Sequence, residues 1–557
     1  MAIAVLIAGS LQITRAGYSV DEEFTVFAVR GIHAHGLPLL PSGLLYDRGL
    51  AYSYAAALTG GSLPADRAIS LVCAAIAVLL AFALVRHLAV EHAALLSSLL
   101  FATSVPFWAT ATSGRFYSPF LVLYLASLLL LRSNLALVFA AAFFCRLTHE
   151  LAFTLAVIPL LCALVDRDRR RGWVLSSVAL IGGLVAAQAA IFAMHALQPA
   201  AGETMVRRFF LWQVLNLFAR PGGGQFLIPI VVMAIASVAV PKRAWAIGVI
   251  GVSIAAMLIA FSIARASNSA PLSAALVRSV VVEGSRYPLH MFWYVARATP
   301  LTLLLALTGL MTRLVMQGSA WPRSERVLHL LWMGWVLWFG VIDSGITTNY
   351  LLLPMSFMLM AIAVDLHAIL HAVVTPARPA ARLVVAALVV AALIGDQWRG
   401  AGSLIAKLEA ARPTIQVDAF AAVRGGLQPS DRVVCTDELG CLMTVGRIDR
   451  WLALDDYVRE RFLVRSGNGP MTGVYTGVPA AFRPADLFAP NADGSFPDRI
   501  VIVDIFKEYP IGNSRSWLPK AIEEDGVGVE TLLETSQARV IEVRAPERAA
   551  RLSARRP

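Results

Sequence analysis

The sequence predicts a polytopic α-helical membrane protein with about thirteen transmembrane helices and a small extracytoplasmic α/β domain at its C-terminus. Of its 557 residues, 58% are hydrophobic and only 15% are charged, whereas a typical soluble domain has about 25% charged residues. Apolar runs that can cross the hydrocarbon recur up to about residue 396 and then stop. Beyond that point the composition is that of an ordinary globular protein, which separates a transmembrane module (1–396) from a soluble domain (397–557).

The apolar runs predict where each transmembrane helix lies. Each run is able to cross or nearly cross the hydrocarbon, for which an α-helix needs roughly 20 residues, and several runs are shorter than that. The predicted spans are 1–14, 68–86, 93–112, 117–131, 134–148, 150–165, 173–196, 226–240, 244–264, 298–316, 326–342, 350–370 and 382–396.

The basic residues predict the orientation of these spans. The chain has a formal net charge of +11, and such an excess in a membrane protein gathers in cytoplasmic loops. This explanation leaves no reason to invoke a nucleic-acid partner. The basic segments fall in alternate loops of the threading: Arg86–His92, Arg132–Asn134, Asp166–Arg171, Pro241–Arg243, Trp321–Arg326 and Pro376–Arg382. The remaining loops are then extracytoplasmic, including the long loops 15–67 and 265–297 and everything after residue 396.

The soluble domain is predicted to mix helices and strands. Leu404–Leu427 is predicted to form a helix, whereas Arg432–Cys435, Arg499–Asp504 and Val540–Val543 have the composition of buried strands. The alternation favours a small α/β domain, which serves either to recognise an acceptor or as a structural cap. It contains Cys435 and Cys441, which are able to form a disulfide if the domain is extracytoplasmic. The spacing leaves that bond open.

Carboxylates cluster just after the first predicted span. Asp21, Glu22 and Glu23 are adjacent there, and charges so close to hydrocarbon are costly and tend to be functional. Acids also favour the positive end of a helix, here a juxtamembrane helix predicted over Val20–Ile32. The structural explanation is preferred for Glu23, and a functional one for Asp21 and Glu22.

Other predicted outer turns carry basic and aromatic residues. Arg115 and Tyr117 follow the third span, His149 and Glu150 follow the fifth, and Arg286, Tyr287 and His290 precede the tenth. Arginine and histidine are suited to bind a phosphate, and a carboxylate is suited to take a proton from a hydroxyl. Together they predict a site for a phosphate-bearing lipid and an acceptor alcohol at the outer membrane surface.

At these residues the sequence resembles the GT-C glycosyltransferases, nearest the protein O-mannosyltransferase group and the lipid A aminoarabinose transferase. Four features occur in the same order: Asp21-Glu22, Arg115-x-Tyr117, Thr148-His149, and a loop with Tyr287-Pro288-x-His290 followed by Trp293 and Tyr294. The stretch Asn349–Pro354 is similar to a later family pattern. The chain departs from the family at Asn349, where arginine is common, and at Glu150, where many relatives have tyrosine.

The resemblance implies an inverting transfer of a sugar from a polyprenyl-phosphate donor to an acceptor hydroxyl on an envelope glycan, lipid or protein. It makes Asp21 the base, with Glu22 supporting or substituting for it. Arg115, His149 and Arg286 would then hold the donor phosphate, and Tyr117, Tyr287 and His290 would line the donor side. A divalent cation is the one cofactor left open, with Glu150 as candidate ligand or as a partner that orients His149. The plan fits a bacterial inner-membrane protein.

A transporter or flippase for a lipid-linked or anionic substrate is the alternative from another functional class. A transporter would be expected to pair charges deep inside its spans. The acidic and basic residues of the predicted site lie instead at the outer ends of the spans.

Overall fold

The structure is a computed structural model in which two compact units are distinguished. The helical unit comprises Met1–Ile13, Asp66–Ile191 and Phe210–Ala406, and the sheet unit comprises Thr14–Ala65, Phe192–Phe209 and Lys407–Pro557. The residues that it describes are 1–197 (without 15–16, 19–20, 132 and 157), 235, 238, 299–341, 351–373, 379–411, 415–453, 462–465, 470–482, 484–487, 496–505, 528–535 and 538–544.

Most α-helices of the described residues lie in the apolar part of the chain, and the last three lie beyond it. In chain order they are α1 (Ala2–Ile13), α2 (Glu22–His35), α3 (Leu50–Leu58), α4 (Leu63–Leu88), α5 (Glu91–Ala102), α6 (Val105–Ala111), α7 (Tyr117–Leu130), α8 (Leu135–Thr148), α9 (Ile158–Val165), α10 (Arg170–His195), α11 (Pro300–Met316), α12 (Arg323–Val341), α13 (Leu352–Val373), α14 (Pro379–Ala411), α15 (Ala421–Gly425), α16 (Glu438–Thr444) and α17 (Pro484–Leu487). A 3₁₀ helix, Glu150–Ala156, lies between α8 and α9.

Within this part of the chain, four helices are long and apolar enough to cross a membrane: Leu63–Leu88, Arg170–His195, Leu352–Val373 and Ala380–Trp398. The total of about thirteen predicted spans is not confirmed, and the spans predicted at 226–240 and 244–264 lie outside the described residues.

The span predicted at 93–112 is not one straight helix. α5 and α6 are bent by 63° relative to each other, and Ser104 between them has extended backbone angles. Pro106 stands in the first turn of α6, where proline is tolerated because that turn needs no amide donor. The pair counts as a fifth span if it crosses as one broken helix. Hydropathy alone does not reveal such a break.

The predicted cytoplasmic loops of the helical unit meet at one end of it, which we call the basic end. Arg323 at the start of α12 pairs with Asp168, just before α10, at 2.8 Å. The rings of His92 on α5 and His367 on α13 stack with their centroids 6.1 Å apart. A shared end is what the threading predicts for these loops, and their cytoplasmic location stays a prediction. Pro241–Arg243 lies outside the described residues.

Near the basic end, buried charges join three helices of the helical unit. Arg313 of α11 pairs with Glu325 of α12 and, at 3.5 Å, with Asp365 of α13. His329 of α12 lies 3.2 Å from the same Asp365 carboxylate. We call these four residues the charge cluster. A Cβ on Gly309 would lie 2.5 Å from Asp365 Oδ2, so α11 approaches that carboxylate where it has no side chain.

The sheet unit contains a six-stranded sheet in the order β5-β2-β1-β6-β8-β7. The strands of the unit are β1 (Arg432–Cys435), β2 (Arg450–Leu452), β3 (Leu463–Arg465), β4 (Met471–Gly473), β5 (Ala480–Ala481), β6 (Arg499–Ile505), β7 (Val529–Glu534) and β8 (Ala538–Arg544). β5, β2, β1 and β6 pair in parallel, β8 and β7 continue the sheet antiparallel, and β3 and β4 form a separate hairpin. The three predicted strands are β1, β6 and β8, and Cys435 and Cys441 are joined by a disulfide.

The helix predicted over Leu404–Leu427 is wrong as a single element. α14 continues the last predicted span as far as Ala411, and Ile415 then forms an isolated β-bridge. A 3₁₀ turn at Val417–Phe420 leads into the short α15. Pro413 lies in the interval between α14 and the bridge, and proline cannot continue a helix because it lacks the amide donor.

The first outer loop is an integral part of the sheet unit. Tyr18 N–H donates to the Ile415 carbonyl at 3.1 Å, and Ile415 N–H donates back at 3.0 Å. The Tyr18 ring is fully buried in the core that also contains Val433 and Val501. Farther along the loop, Ser42 Oγ donates to the Val474 carbonyl at 2.7 Å. The sheet unit therefore includes Thr14–Ala65, which is nearly all of the first outer loop. The domain boundary at 396/397 stays a prediction.

We expect Tyr18→Ala to destabilise the sheet unit by about 3–5 kcal/mol, the usual cost of deleting a buried aromatic side chain. Tyr18→Phe is expected to cost about 1 kcal/mol or less. Its hydroxyl donates to the Gly440 carbonyl at 3.2 Å, but that carbonyl also accepts from Thr444 Oγ1 at 2.8 Å. Pulse proteolysis of the purified protein across a denaturant series measures both variants. Equal losses in the free energy of unfolding for the two variants would mean that packing of the Tyr18 ring does not hold the first outer loop in place.

Candidate functional site

Arg115, Tyr117 and His149 come together in the helical unit, at the end opposite the basic end. Arg115 lies in the turn between α6 and α7, and His149 directly follows α8. Arg115 and His149 are each only 4% exposed. Polar residues this buried in a bundle of apolar helices are costly and tend to be functional.

Backbone and aromatic contacts fix the position of Arg115. Ser70 Oγ, on the second turn of α4, donates to the Arg115 carbonyl at 2.9 Å. The guanidinium carbon lies over the Phe116 ring, 4.7 Å from its centroid, an arrangement in which the ring face attracts the cation. The backbone of Arg115 is thus anchored to α4, and its charge lies against the aromatic ring that precedes α7.

A hydrogen bond determines which nitrogen of His149 carries a proton. Leu151 N–H donates to His149 Nδ1 at 3.0 Å, so Nδ1 is an acceptor and the neutral ring carries its proton on Nε2. Three aromatic rings surround the imidazole, with centroids at 4.9 Å (Phe120), 5.1 Å (Phe116) and 5.9 Å (Tyr117). His149 is therefore a preorganised N–H donor in an apolar setting.

The helical unit contains two further buried charged residues, which the sequence motifs do not include. Asp66 and Arg67 occupy the first turn of α4 and are fully buried. Arg67 Nη1 donates to the Ile13 carbonyl at the end of α1 at 3.4 Å. The signal for such a pair is an acidic residue next to a basic one at the start of an apolar run. Both residues fell at the end of the predicted outer loop 15–67, where charged residues are ordinary.

Arg146 and Glu150 flank His149 but differ in their surroundings. Arg146 donates to Gln188 Oε1 of α10 from Nε at 3.1 Å and from Nη2 at 2.6 Å, which explains it as a helix–helix contact. Glu150 begins the 3₁₀ helix and is half-buried. Within the described residues, no three histidine, cysteine or acidic side chains are arranged to hold a metal ion. A cation at Glu150 stays a prediction.

The carboxylates Asp21, Glu22 and Glu23 lie in the sheet unit, at the start of α2. Asp21 is the residue that precedes the helix and is half-buried, whereas Glu22 and Glu23 in its first turn are 0% and 1% exposed. The N-terminal end of a helix carries partial positive charge, which stabilises carboxylates there. Burial raises the pKa of Tyr18 well above its ordinary value, and the negative charges of Glu23 and Asp437 raise it further.

Aromatic rings follow these carboxylates within the sheet unit. Phe24 stacks on Tyr46 with ring centroids 5.5 Å apart and meets Tyr475 edge-on at 4.8 Å. The neighbouring Asp47 carboxylate lies 3.2 Å from His195 Nε2. Of the three acids, the half-buried Asp21 is the one that remains partly accessible from outside the unit.

The remaining predicted site residues are not described by the structure. Arg286, Tyr287 and His290 lie outside the described residues, as do Pro288, Trp293, Tyr294, Asn349 and Tyr350. Asp21 and the pair Arg115 and His149 belong to different units. Their convergence on one substrate stays a prediction.

No protein-family model matches the chain, and no curated protein matches it. Among solved structures, it is similar to ArnT from Cupriavidus metallidurans bound to undecaprenyl phosphate, with 13% identity, 97% of each chain covered and a TM-score of 0.43. It is similar to the apo state of that protein, with 12% identity, 99% of this chain and 98% of that chain covered and a TM-score of 0.40.

A third similar structure is the archaeal oligosaccharyltransferase AglB from Archaeoglobus fulgidus, in complex with an inhibitory peptide and a dolichol-phosphate. The identity is 13%, with 90% of this chain and 69% of that chain covered and a TM-score of 0.48. ArnT, a lipid A aminoarabinose transferase, and AglB are both members of the GT-C superfamily.

Proposed function

We propose that the chain is an inverting glycosyltransferase that moves a sugar from a polyprenyl-phosphate donor to an acceptor hydroxyl at the extracytoplasmic membrane face. The observation that carries this proposal is the buried group of Arg115, Tyr117 and His149 at the end of the helical unit opposite the basic end. Apolar helices suit a polyprenyl chain, and fixed cationic and N–H donors at their ends suit its phosphate.

In this reaction Arg115 and His149 act on the leaving phosphate. As the bond between the anomeric carbon and the phosphate oxygen breaks, negative charge grows on that oxygen. The Arg115 guanidinium and the proton on His149 Nε2 stabilise that charge without having to reorient, since aromatic rings and the Leu151 amide already hold them. Tyr117 lines the same side, and Arg286, Tyr287 and His290 are assigned to the donor by the sequence resemblance.

Asp21 is the base that we assign to the acceptor. The acceptor oxygen attacks the anomeric carbon from the face opposite the phosphate, its proton passes to the Asp21 carboxylate, and polyprenyl phosphate departs. The fully buried Glu22 is better suited to support Asp21 than to replace it, because Asp21 is only half-buried.

The sheet unit is proposed to lie outside the cytoplasm, in a bacterial inner-membrane protein. The disulfide between Cys435 and Cys441 supports this location, because such bonds persist in oxidising compartments. The acceptor would then be an envelope glycan, lipid or protein.

One observation favours the alternative of a transporter or flippase. The charge cluster pairs Arg313 with Asp365 inside apolar helices, as expected of proteins that move ions or charged substrates. It lies toward the basic end, away from Arg115 and His149. A proteoliposome assay distinguishes the two functions, because a flippase moves a lipid-linked sugar across the bilayer without releasing polyprenyl phosphate.

The transfer reaction is tested with purified protein, a radiolabelled polyprenyl-phosphate sugar and an envelope extract as acceptor. Wild-type protein is expected to release polyprenyl phosphate, and Arg115→Ala to lower kcat/KM by about 10²–10³-fold, the cost of removing one donor to a developing oxyanion. Arg115→Lys is expected to retain only part of the wild-type kcat/KM, because lysine cannot bind phosphate with two parallel donors. Arg146→Lys is the matched control and should retain activity. No release by wild-type protein with any polyprenyl-phosphate sugar would refute the proposal.

A further inference from the structure

His149 stands at a break between two helices of different kinds. α8 ends at Thr148, His149 has extended backbone angles (φ −157°, ψ 144°), and the chain continues as the 3₁₀ helix Glu150–Ala156. Runs of 3₁₀ helix longer than three or four residues are uncommon, and this one has seven. Its sequence, ELAFTLA, contains good α-helix formers and neither glycine nor proline. The local sequence therefore does not explain the 3₁₀ form, and contacts with other helices must maintain it.

The 3₁₀ helix determines which hydrogen bond His149 receives. Leu151 N–H donates to His149 Nδ1 at 3.0 Å. If α8 continued without interruption, the same amide would donate to the Leu147 carbonyl, four residues back. His149 Nδ1 would then lose this donor, and the neutral ring would be able to carry its proton on either nitrogen. The fixed N–H at His149 Nε2 thus depends on the 3₁₀ helix.

Two neighbouring helices supply hydroxyl groups that hold the 3₁₀ helix. Thr154 Oγ1 donates to the Leu151 carbonyl at 2.7 Å. A hydroxyl has one proton, so Tyr124 of α7, whose oxygen lies 3.0 Å from Thr154 Oγ1, is the donor in that second contact. At the far end of the 3₁₀ helix, Ser177 Oγ of α10 donates to the Ala156 carbonyl at 3.2 Å. The segment is therefore bound from two sides.

These contacts favour the 3₁₀ form over an α-helix. A 3₁₀ helix turns by about 120° per residue and an α-helix by about 100°. Over the five residues from His149 to Thr154 the difference adds up to about 100°, enough to turn Thr154 away from α7. Tyr124 is fully buried, and the ring centroids of Trp335 and Phe357 lie 5.8 and 6.1 Å from its own, so its hydroxyl has little freedom to follow.

We infer that Tyr124, Thr154 and Ser177 are positioning residues for His149. They keep residues 150–156 in the 3₁₀ form and so keep the proton of the neutral His149 ring on Nε2. All three side chains are buried, so they act through the backbone that contacts His149 and not on a substrate. Their effect on catalysis rests on the proposed function, in which this N–H stabilises charge on the leaving phosphate.

The test observes the proton on His149 directly, in full-length protein made with isotopically labelled histidine. Nitrogen NMR distinguishes a protonated ring nitrogen from an unprotonated one, and His149→Asn identifies the signal of this residue. Thr154→Val removes the hydroxyl at nearly constant volume, Thr154→Ser keeps it, and Tyr124→Phe removes only the phenol oxygen. Ser127→Ala is the matched control, because this buried α7 hydroxyl donates to the Leu123 carbonyl of its own helix at 2.7 Å.

We expect wild-type protein, Thr154→Ser and Ser127→Ala to show one form of His149, with the proton on Nε2. Thr154→Val, Tyr124→Phe and Ser177→Ala are expected to move part of the protein to the other neutral form. They should lower kcat by about tenfold, a fraction of the roughly 10²–10³-fold cost of removing such a donor, with little change in KM. A proton that stays on Nε2 in all three variants would overturn the inference.

The positioning role and the proposed function fail in different ways. A shift of the His149 proton in these variants, without release of polyprenyl phosphate by wild-type protein, would support the positioning role and refute the transferase. Transfer by wild-type protein, with the His149 proton unchanged in every variant, would refute the positioning role and leave the transferase standing.

Discussion

Asp21→Asn is expected to lower the rate of sugar transfer by a factor of about 10²–10⁴, the contribution typical of a positioned general base. Asparagine keeps the size of the side chain and its place before α2, but it cannot take the acceptor proton. The first turn of α2 already holds the buried Glu22 and Glu23, so loss of one neighbouring charge should leave the sheet unit folded. Single-turnover transfer from a radiolabelled polyprenyl-phosphate sugar measures the change in the chemical step.

Two further variants make the Asp21 test specific. Asp418→Asn removes an exposed carboxylate from the same unit and should leave the rate unchanged. Glu22→Gln should slow transfer less than Asp21→Asn does if Glu22 only supports the base. A normal rate for Asp21→Asn together with an inactive Glu22→Gln would assign the base to Glu22 and reject our assignment.

Asp365→Leu is expected to destabilise the helical unit by about 3–5 kcal/mol, the usual cost of breaking a buried ion pair by removing one partner. Asp365 is 2% exposed and accepts from His329 Nε2 at 3.2 Å while pairing with Arg313. His329 Nδ1 accepts from the Trp332 indole N–H at 3.2 Å, which fixes the neutral ring with its proton toward Asp365. Leucine would leave both donors buried without this acceptor. Tryptophan fluorescence during unfolding in detergent reports the loss, because Trp332 and Trp321 adjoin the cluster.

The control for Asp365→Leu is a substitution in an exposed ion pair at the basic end. Asp168 pairs with Arg323 at 2.8 Å and is 80% exposed, so Asp168→Asn should change stability by well under about 1 kcal/mol. The triple variant Arg313→Met/Glu325→Gln/Asp365→Leu removes the buried charges together and should recover much of the loss. A triple variant as unstable as Asp365→Leu would mean that packing, and not unpaired charge, sets the cost.

Much of the helical unit is predictable from sequence because its signals are local. Long apolar runs mark α4, α10 and α13, and basic loops identify the ends that meet. The bend between α5 and α6 depends on backbone angles at Ser104, and no average over a hydropathy window contains them. The charge cluster is not evident from the sequence, because Arg313, His329 and Asp365 lie in three separate predicted spans and Glu325 lies in the predicted loop between two of them.

The sheet unit was predicted less completely, for a different physical reason. β1, β6 and β8 have apolar β-branched residues that mark buried strands, but β2 has three residues and β7 is largely exposed. Arg115 and His149 were predicted because charge beside an apolar run is unusual. The pairing of Tyr18 with Ile415 leaves no periodic signal in either segment, since only the folded unit brings the two together.

The Tyr18 contacts have a consequence for how the chain is made. Tyr18 and Gly440 are 422 residues apart, and at a synthesis rate of 5–20 residues per second roughly 20–85 s separate their translation. The segment that carries Asp21 cannot reach its final packing during that interval, because its partner strands have not yet been synthesised. A ribosome that stalls after the last span leaves this segment unanchored. The loop with the proposed base therefore acquires its final packing only after β6 and β8, whose Val501 and Val540 share the core with Tyr18, have been synthesised.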